Sequence, residues 1–537
     1  MIAPDKLLSD LKRWVIRLED DLRLRCREVA EVDAGFREAY QAAKDAGRTA
    51  HPYETWRDQE LTQVAVGWVL GAVFVRFLED NGLVDQPWLA GPGERRGTAG
   101  EVREAYFREF PHQSDNDYLE HVFSEVSKLP GMGDLFDRRH NALWQARISG
   151  DAAAAFIEFW RKIDSETGTL GHDFTDPAWS TRFLGDLYQD LSEGARKRFA
   201  LLQTPDFVEA FILDRTLDPA IETFGYQTVR MIDPACGSGH FLLGAFARML
   251  NHWRKADARL SEKEVAVHAL AAIHGVDINP FAVAIARFRL LLEAWKYAGV
   301  TRLKAAPAFK VNLAVGDSLL HSATFGPDGK VFVSEQQQEF DTGGDFKDSF
   351  KHYYETEDRE ALRRILSQQY HAVVANPPYI TVKDKALNGL YREKFSACHR
   401  QYSLAVPFME LIFNLAVTGN PQERTPAGYT GQITANSFMK REFGKKLIEK
   451  TIPRWDLTHV IDTSGAYIPG HGTPTVILFA RNAPCSSPTV RAVMGIKGEP
   501  GQPKDPSNGL VWTSIIGLVD QPNSENEFVS VSDAQRV

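Results

Sequence analysis

The sequence is poor in cysteine. Four occur in 537 residues (Cys26, Cys236, Cys398 and Cys485), and no two share a CxxC spacing. That scatter argues against a zinc site and against a disulfide framework, and it suits a reducing cytoplasm. A cytoplasmic location and no bound metal are expected. No apolar run reaches the roughly 20 residues that span a bilayer; residues 64–77 are apolar but short, and Arg76 interrupts them. The opening Met1-Ile2-Ala3-Pro4-Asp5-Lys6 lacks the basic-then-apolar pattern of a signal peptide, so no membrane partner is expected. An excess of positive charge is missing too: 62 Lys and Arg stand against 71 Asp and Glu, a net charge of −9. A nucleic-acid binder needs local positive charge and not an overall surplus, so the balance excludes only a small, indiscriminate, histone-like binder. What is present, 43% hydrophobic and 25% charged residues, is the make-up of an ordinary globular protein. The length exceeds what one core fills, and two or three domains are expected.

Residues 1–195 read as an α-helical N-terminal domain. Apolar residues recur at helical spacing in 7–16 and 61–78, a Gly/Pro-rich stretch from Gly91 to Gly97 breaks the pattern, and it resumes in 153–163 and 184–202. No catalytic constellation lies there. From about 203 the texture changes to short apolar segments alternating with helical ones. Strands are expected at 229–232, 272–276, 311–315, 370–375, 432–434, 457–461 and 475–479, with helices at 241–253 and 282–298. Such alternation implies a mostly parallel sheet with helices on both faces, whose ligands bind beyond the carboxyl ends of the strands. The polar stretch 321–360 reads as a surface insertion, and Pro, Ser, Gly and Asn dominate after 483.

Four polar motifs fall at expected strand ends. Asp233-Pro234-Ala235-Cys236-Gly237-Ser238-Gly239 joins a strand to a helix; its glycines permit a tight turn, and the helix start favours an anion. The spacing is not GxGxxG, which counts against a nicotinamide cofactor. Gly275-Val276-Asp277-Ile278-Asn279 places a carboxylate where it can accept hydrogen bonds from ribose hydroxyls, although an Asp there also reads as a helix cap. Gly316-Asp317-Ser318 fits either an acceptor for an adenine amino group or a plain turn. Asn376-Pro377-Pro378-Tyr379 makes a rigid loop that presents an amide oxygen, a carbonyl and an aromatic face.

Taken in this order, with Gln203-Thr204-Pro205 upstream, the motifs resemble those of the gamma-type N6-adenine-specific DNA methyltransferases over about 200–482. The resemblance implies an α/β fold: a Rossmann-like class I methyltransferase domain over 196–483, with a mostly parallel seven-stranded sheet, following the helical domain. It implies S-adenosylmethionine as cofactor, held by Thr204, Asp233, Ala235 and Gly237 at the methionine end, by Asp277 at the ribose, and by Ile278 and Asp317 at the adenine. It implies that Asn376 and Pro377, on the loop that Pro378 stiffens, accept hydrogen bonds from the target amino group while Tyr379 stacks on the base. Tyr467 aligns with a second aromatic against that base, and Lys440, Arg441, Lys445 and Lys446 read either as phosphate contacts or as a solvated helix face. The substrate implied is double-stranded DNA with a flipped adenine.

The N-terminal helices carry a second resemblance. Arg17-Leu18, Tyr53-Glu54-Thr55-Trp56-Arg57 and the segment from Val75 to Leu83 are similar to the PglX family, the large adenine methyltransferases of BREX phage-defence systems, type 2 branch. It implies a self mark on host DNA and other BREX proteins as partners. In that family a target-recognition domain follows, so 484–537 is expected to be a linker or the start of a truncated recognition region. The competing readings are a modification subunit of a type I or fused restriction-modification system, a protein- or rRNA-directed methyltransferase, and a non-catalytic cofactor-gated DNA-binding defence effector. Residues 1–200 contain no Glu-x-Lys, which counts against a fused nuclease, and the intact Asn376, Pro377 and Tyr379 count against loss of chemistry.

Overall fold

A computed structural model of the chain describes residues 3–191, 203–325, 331–332, 357–420 and 423–536. The expected domain boundary at 195/196 and most of the expected insertion lie outside these residues.

The N-terminal region is helical: Pro4–Glu28, Ala30–Asp45, Tyr53–Asp80, Arg95–Glu109, Asp115–Ser127, Gly150–Arg161 and Arg182–Asp190. Sequence-local signals start several of these helices. Ser114 and Asp117 form a capping box ahead of Asp115–Ser127, and the Ser149 hydroxyl accepts from the Ala152 amide at 3.1 Å. Pro4–Glu28 buries a stripe of Leu7, Leu11, Trp14, Leu18 and Leu22, as the 3.6-residue period requires.

Tyr53–Asp80 is long and apolar enough to cross a membrane, but 94% of its most apolar window is buried inside the protein. It is the hub of the helical layer. Its end carries Arg76, Glu79 and Asp80, with the Arg76 and Glu79 side chains 0% exposed. Arg76 donates to Asp80 at 2.7 Å and to the Trp160 carbonyl at 3.2 Å. Glu79 accepts from the amides of Trp88, Leu89 and Ala90, and Asp80 from that of Phe174 at 2.8 Å. Burial pushes both carboxyls up and Arg76 pulls them back down. The charges therefore staple two loops to the helix.

One ten-stranded sheet follows. Its strands are β1 (Met231–Asp233), β2 (Ile273–Asp277), β3 (Asn312–Val315), β6 (Ala372–Ala375), β7 (Tyr429–Ala435), β8 (Asp456–Asp462), β9 (Thr475–Arg481), β10 (Thr489–Gly495), β11 (Ser524–Glu525) and β12 (Val529–Gln535). A separate two-stranded ribbon pairs β4 (Thr324–Phe325) with β5 (Val331–Phe332). The order is β11-β12-β10-β8-β9-β7-β6-β1-β2-β3. From β7 to β3 all neighbours are parallel, and β9 runs antiparallel between β7 and β8. The seven expected strands are all present. The expected count of seven is corrected to ten, because β10, β11 and β12 extend the edge.

The described part of 484–537, expected to be a linker or the start of a truncated recognition region, joins the same sheet. The helix Leu510–Leu518 in that segment packs Trp512 against Phe211 at 5.3 Å, and β10 pairs with β8. The segment looks like a linker because its strands lie at a sheet edge and are polar outward, with Arg491 on β10 paired to Asp533 on β12.

Helices cover both faces. Pro280–Tyr297 packs between sheet and N-terminal layer, where Phe288 meets Phe74 at 4.6 Å and Phe77 at 5.7 Å. The strand order reverses at β1, between β2 on one side and β6 on the other, so a crevice is expected beyond the ends of β1 and β6.

Arg76→Leu leaves two buried carboxylates without their counter-charge. We expect a loss of about 3–5 kcal/mol in stability, read as a lower midpoint in urea with an unchanged slope.

Candidate active site

Every motif residue named from the sequence falls at the carboxyl edge of the parallel strands or in the loops beside it, on both sides of the reversal. Asp233 ends β1, is 2% exposed, and accepts from the Ala235 amide at 3.0 Å. The turn after it runs through Gly237 at φ +53° and Gly239 at φ +86°, and Gly239 caps the helix His240–Ala256. A Cβ on Gly239 would lie 2.9 Å from that of Ala286, so close helix packing as well as backbone conformation selects glycine there. Arg289 braces the turn from below by donating to the Ser238 carbonyl at 2.8 Å. Cys236 is buried, and burial pushes its thiol well up, so it has no thiolate character.

Asp277 ends β2. Its carboxylate accepts from the Gly237 amide at 2.9 Å and from the Asn279 amide at 2.8 Å, joining the two motifs. Burial nevertheless raises its pKa to about 6. Ile278 beside it is 44% exposed, an uncovered apolar side chain at the edge of the crevice.

Asp317 follows β3 and is more occupied than its motif suggests. One oxygen caps Leu319 and Leu320, and the other accepts the Tyr391 hydroxyl at 2.5 Å. Its backbone amide donates to Glu357, which in turn is held by Arg48 at 2.9 Å and His321 at 2.8 Å. Burial opposes ionisation of Glu357, yet His321 and Arg48 together hold its pKa well below the usual range. Arg48 comes from the N-terminal region, so that region braces this end of the site directly.

Asn376 follows β6. Its Nδ2 donates to Thr204 Oγ1 at 3.2 Å and approaches His471 Nε2 at 3.5 Å, while its Oδ1 accepts the Tyr379 hydroxyl at 2.6 Å. Thr204 thus touches the Asn376 amide in addition to lying on the segment assigned to the cofactor. Pro377 is buried, and Pro378 and Tyr379 are half-buried. The Tyr379 ring lies 6.0 Å from that of His471 at an angle of 50°. Burial raises the Tyr379 hydroxyl pKa, so the group stays a neutral donor.

Tyr467 is half-buried on the loop that also carries His471. That loop is tied to the basic segment by the Asn436 amide, which donates to the Pro474 carbonyl at 3.0 Å. Lys440, Arg441 and Lys445 are exposed and Lys446 is half-buried. They follow β7, which runs parallel to β6 and ends on the same edge as Asn376.

His471, Gln203 and Tyr391 escaped the sequence reading. His471 lies four residues past Tyr467 in a Gly- and Pro-rich loop, where only its histidine chemistry marks it. Gln203 sits inside the recognised Gln-Thr-Pro, and its buried Nε2 has no partner among the described residues.

Residues 271–468 match the Eco57I restriction-modification methylase family. The chain as a whole is 48% identical to the adenine-specific methyltransferase PglX of Streptomyces coelicolor, over all of this chain and 45% of that protein. The resemblance drawn from the N-terminal helices is thereby borne out. The chain spans less than half the length of that relative. The type II methyltransferase M.PaeR7I of Pseudomonas aeruginosa is 22% identical over 58% of the chain and 47% of its own length. Among solved structures, the ATP-dependent type ISP restriction-modification enzyme LlaBIII bound to DNA superposes with a TM-score of 0.52 at 12% identity, over 90% of this chain and 30% of that one. That likeness supports the fold and nothing finer.

The residues present fit S-adenosylmethionine, the cofactor that the sequence resemblance implies. The glycine turn, the carboxylate of Asp277, the uncovered Ile278 and the orphaned amide of Gln203 lie in the segments that would meet it.

Gly239→Ala sets a methyl against Ala286 in a left-handed backbone. We expect a loss of about 2–4 kcal/mol from overpacking and strain together, measured as a lower melting temperature.

Proposed function

We propose that the chain transfers a methyl group from S-adenosylmethionine to N6 of adenine in duplex DNA, as a self mark within a BREX phage-defence system. The single observation that carries this is the Asn376 amide. Both its amide hydrogens are directed to protein acceptors and its oxygen faces the Tyr379 hydroxyl. An oxygen so aligned is an acceptor for a planar amino group.

The bound cofactor supplies an electrophilic methyl on a sulfonium; the rest falls to the chain. The target nitrogen is a poor nucleophile because its lone pair is delocalised into the ring. In this reading Asn376 Oδ1 and the Pro377 carbonyl accept its two hydrogens, favour a tetrahedral nitrogen and stabilise the charge that develops on it. The incoming amino group displaces the Tyr379 hydroxyl, which has the Ile433 carbonyl as a second acceptor at 3.4 Å. The Tyr379 ring stacks on the base, with Tyr467 on the neighbouring loop, and the adenine leaves the duplex to reach them. Thr204, Asp233, Ala235 and Gly237 hold the methionine end of the cofactor and Asp277 the ribose. Ile278 packs on the adenine, and Asp317 closes that end, braced through Tyr391. Lys440, Arg441, Lys445 and Lys446 contact phosphates. The four cysteines, all free among the described residues, suit the cytoplasm, where host DNA and the other BREX proteins are met.

Asn376→Ala removes one preorganised acceptor. We expect methylation to fall by about 10²–10³-fold with cofactor affinity and melting temperature retained, measured by N6-methyladenine content of duplex DNA. Wild-type protein that leaves adenine unmethylated with all its partners present would sink the reading.

Asp277 gives a pH test with two opposite signs. Its folded-state pKa of about 6 exceeds the ordinary 3.8. The folded state therefore binds the proton more tightly than the unfolded chain, and this group adds stability as pH falls from about 6 toward 4. A ribose diol needs the ionised form, so cofactor affinity weakens by up to about tenfold per pH unit below about 6. Calorimetric titration of cofactor from pH 8 to pH 5 checks this, and Asp277→Asn should flatten the profile.

A further inference from the structure

Resting on that reading of the site, we infer that His471 is a positioning residue for Asn376: it selects which end of the amide meets the target base. An asparagine side chain is nearly symmetric in shape, and a half-turn exchanges its oxygen for its NH2. Only one orientation gives an acceptor to the substrate amino group; the other sets donor against donor.

The surroundings of Asn376 break this symmetry twice. Thr204 Oγ1 takes one amide hydrogen at 3.2 Å, but a hydroxyl can donate as well as accept and would tolerate either orientation. His471 is the stricter partner. Its Nδ1 lies 3.2 Å from the Pro469 carbonyl, which can only accept, so the ring proton belongs on Nδ1. That leaves Nε2 bare, 3.5 Å from Asn376 Nδ2. A bare nitrogen attracts the NH2 end and repels the oxygen end. Burial lowers the pKa of the imidazole, which keeps it in the neutral form this role needs. The Tyr379 hydroxyl, donating to Oδ1 at 2.6 Å, agrees with the same orientation. His471 therefore sets the amide before the base arrives, so no reorganisation is needed at the moment of transfer.

The test compares His471→Ala and His471→Gln with wild type in the full-length protein on duplex DNA. A glutamine keeps an acceptor oxygen near the Nε2 position; an alanine does not. We expect His471→Ala to lower kcat by about 10–100-fold with KM for S-adenosylmethionine and the melting temperature unchanged, and His471→Gln to restore most of kcat. A His471→Ala variant with wild-type kcat, or a stable His471→Gln variant no better than alanine, overturns the role. A second readout needs no methylation. With asparagine labelled by ¹⁵N, the Asn376 NH2 signal, assigned by its loss in Asn376→Ala, should show slow hydrogen exchange in wild type and His471→Gln and fast exchange in His471→Ala. Equal exchange in all three also overturns the role. If wild type leaves adenine unmethylated, the proposed function fails while the amide signal still decides the role of His471.

Discussion

A hydrogen bond between the Asp277 carboxylate and the Gly237 amide, 2.9 Å long, closes the carboxyl edge of the sheet. Strands β1 and β2 bring the two residues to the same level, and the bond converts neighbouring strand ends into one surface. Two further ties complete the edge. Ser318 donates to the Pro234 carbonyl at 2.6 Å, and Asn376 donates to Thr204 at 3.2 Å. The three bonds span separations of 40, 84 and 172 residues. The site is therefore a product of the sheet, and its parts cannot assemble before the parallel strands have found their register.

This explains what could be read from the sequence and what could not. Buried parallel strands carry short apolar runs such as Ala372–Ala375, and the polar motifs stand out where those runs stop. The seven expected strands, β3 at one edge among them, were legible for that reason, and so was the clustering of Asp233, Asp277 and Asn376. The strands at the opposite edge lack that contrast. Thr489–Gly495 buries only Val493 fully, and its other residues face partial solvent, so it reads as loop. Partners were harder still than positions. The motif around Asp317 suggests a free acceptor, and nothing local to it reveals that Tyr391 and Glu357 fill its surroundings. His471 carries no pattern at all, because its meaning comes from a carbonyl two residues away and an amide 95 residues away.

The N-terminal helices illustrate the same limit from the other side. Their periodicity announces a packed layer, and the apolar contacts of Phe74 and Phe77 with Phe288 confirm one. Their polar reach is not periodic. Arg48 meets Glu357 and His321, and the Ala50 amide donates to Asp384 at 2.7 Å, ahead of the helix Lys385–Lys394 that carries Tyr391. One turn between two helices thus steadies both loops around Asp317. The helical region is part of the architecture of the site as well as its support.

Two kinds of buried polar group can be told apart by what surrounds them. Arg76, Glu79 and Asp80 are enclosed by one another and by the backbone groups of two loops. Their work is finished on folding. At the sheet edge the groups face a crevice: the Gln203 Nε2 has no partner among the described residues, Asp277 holds its charge reluctantly, and the Tyr379 hydroxyl sits on an oxygen with another acceptor in reach. Incomplete satisfaction costs stability in a structure standing alone. At that edge, at the strand reversal, a cation, a diol and an amino group would find groups already aimed at them.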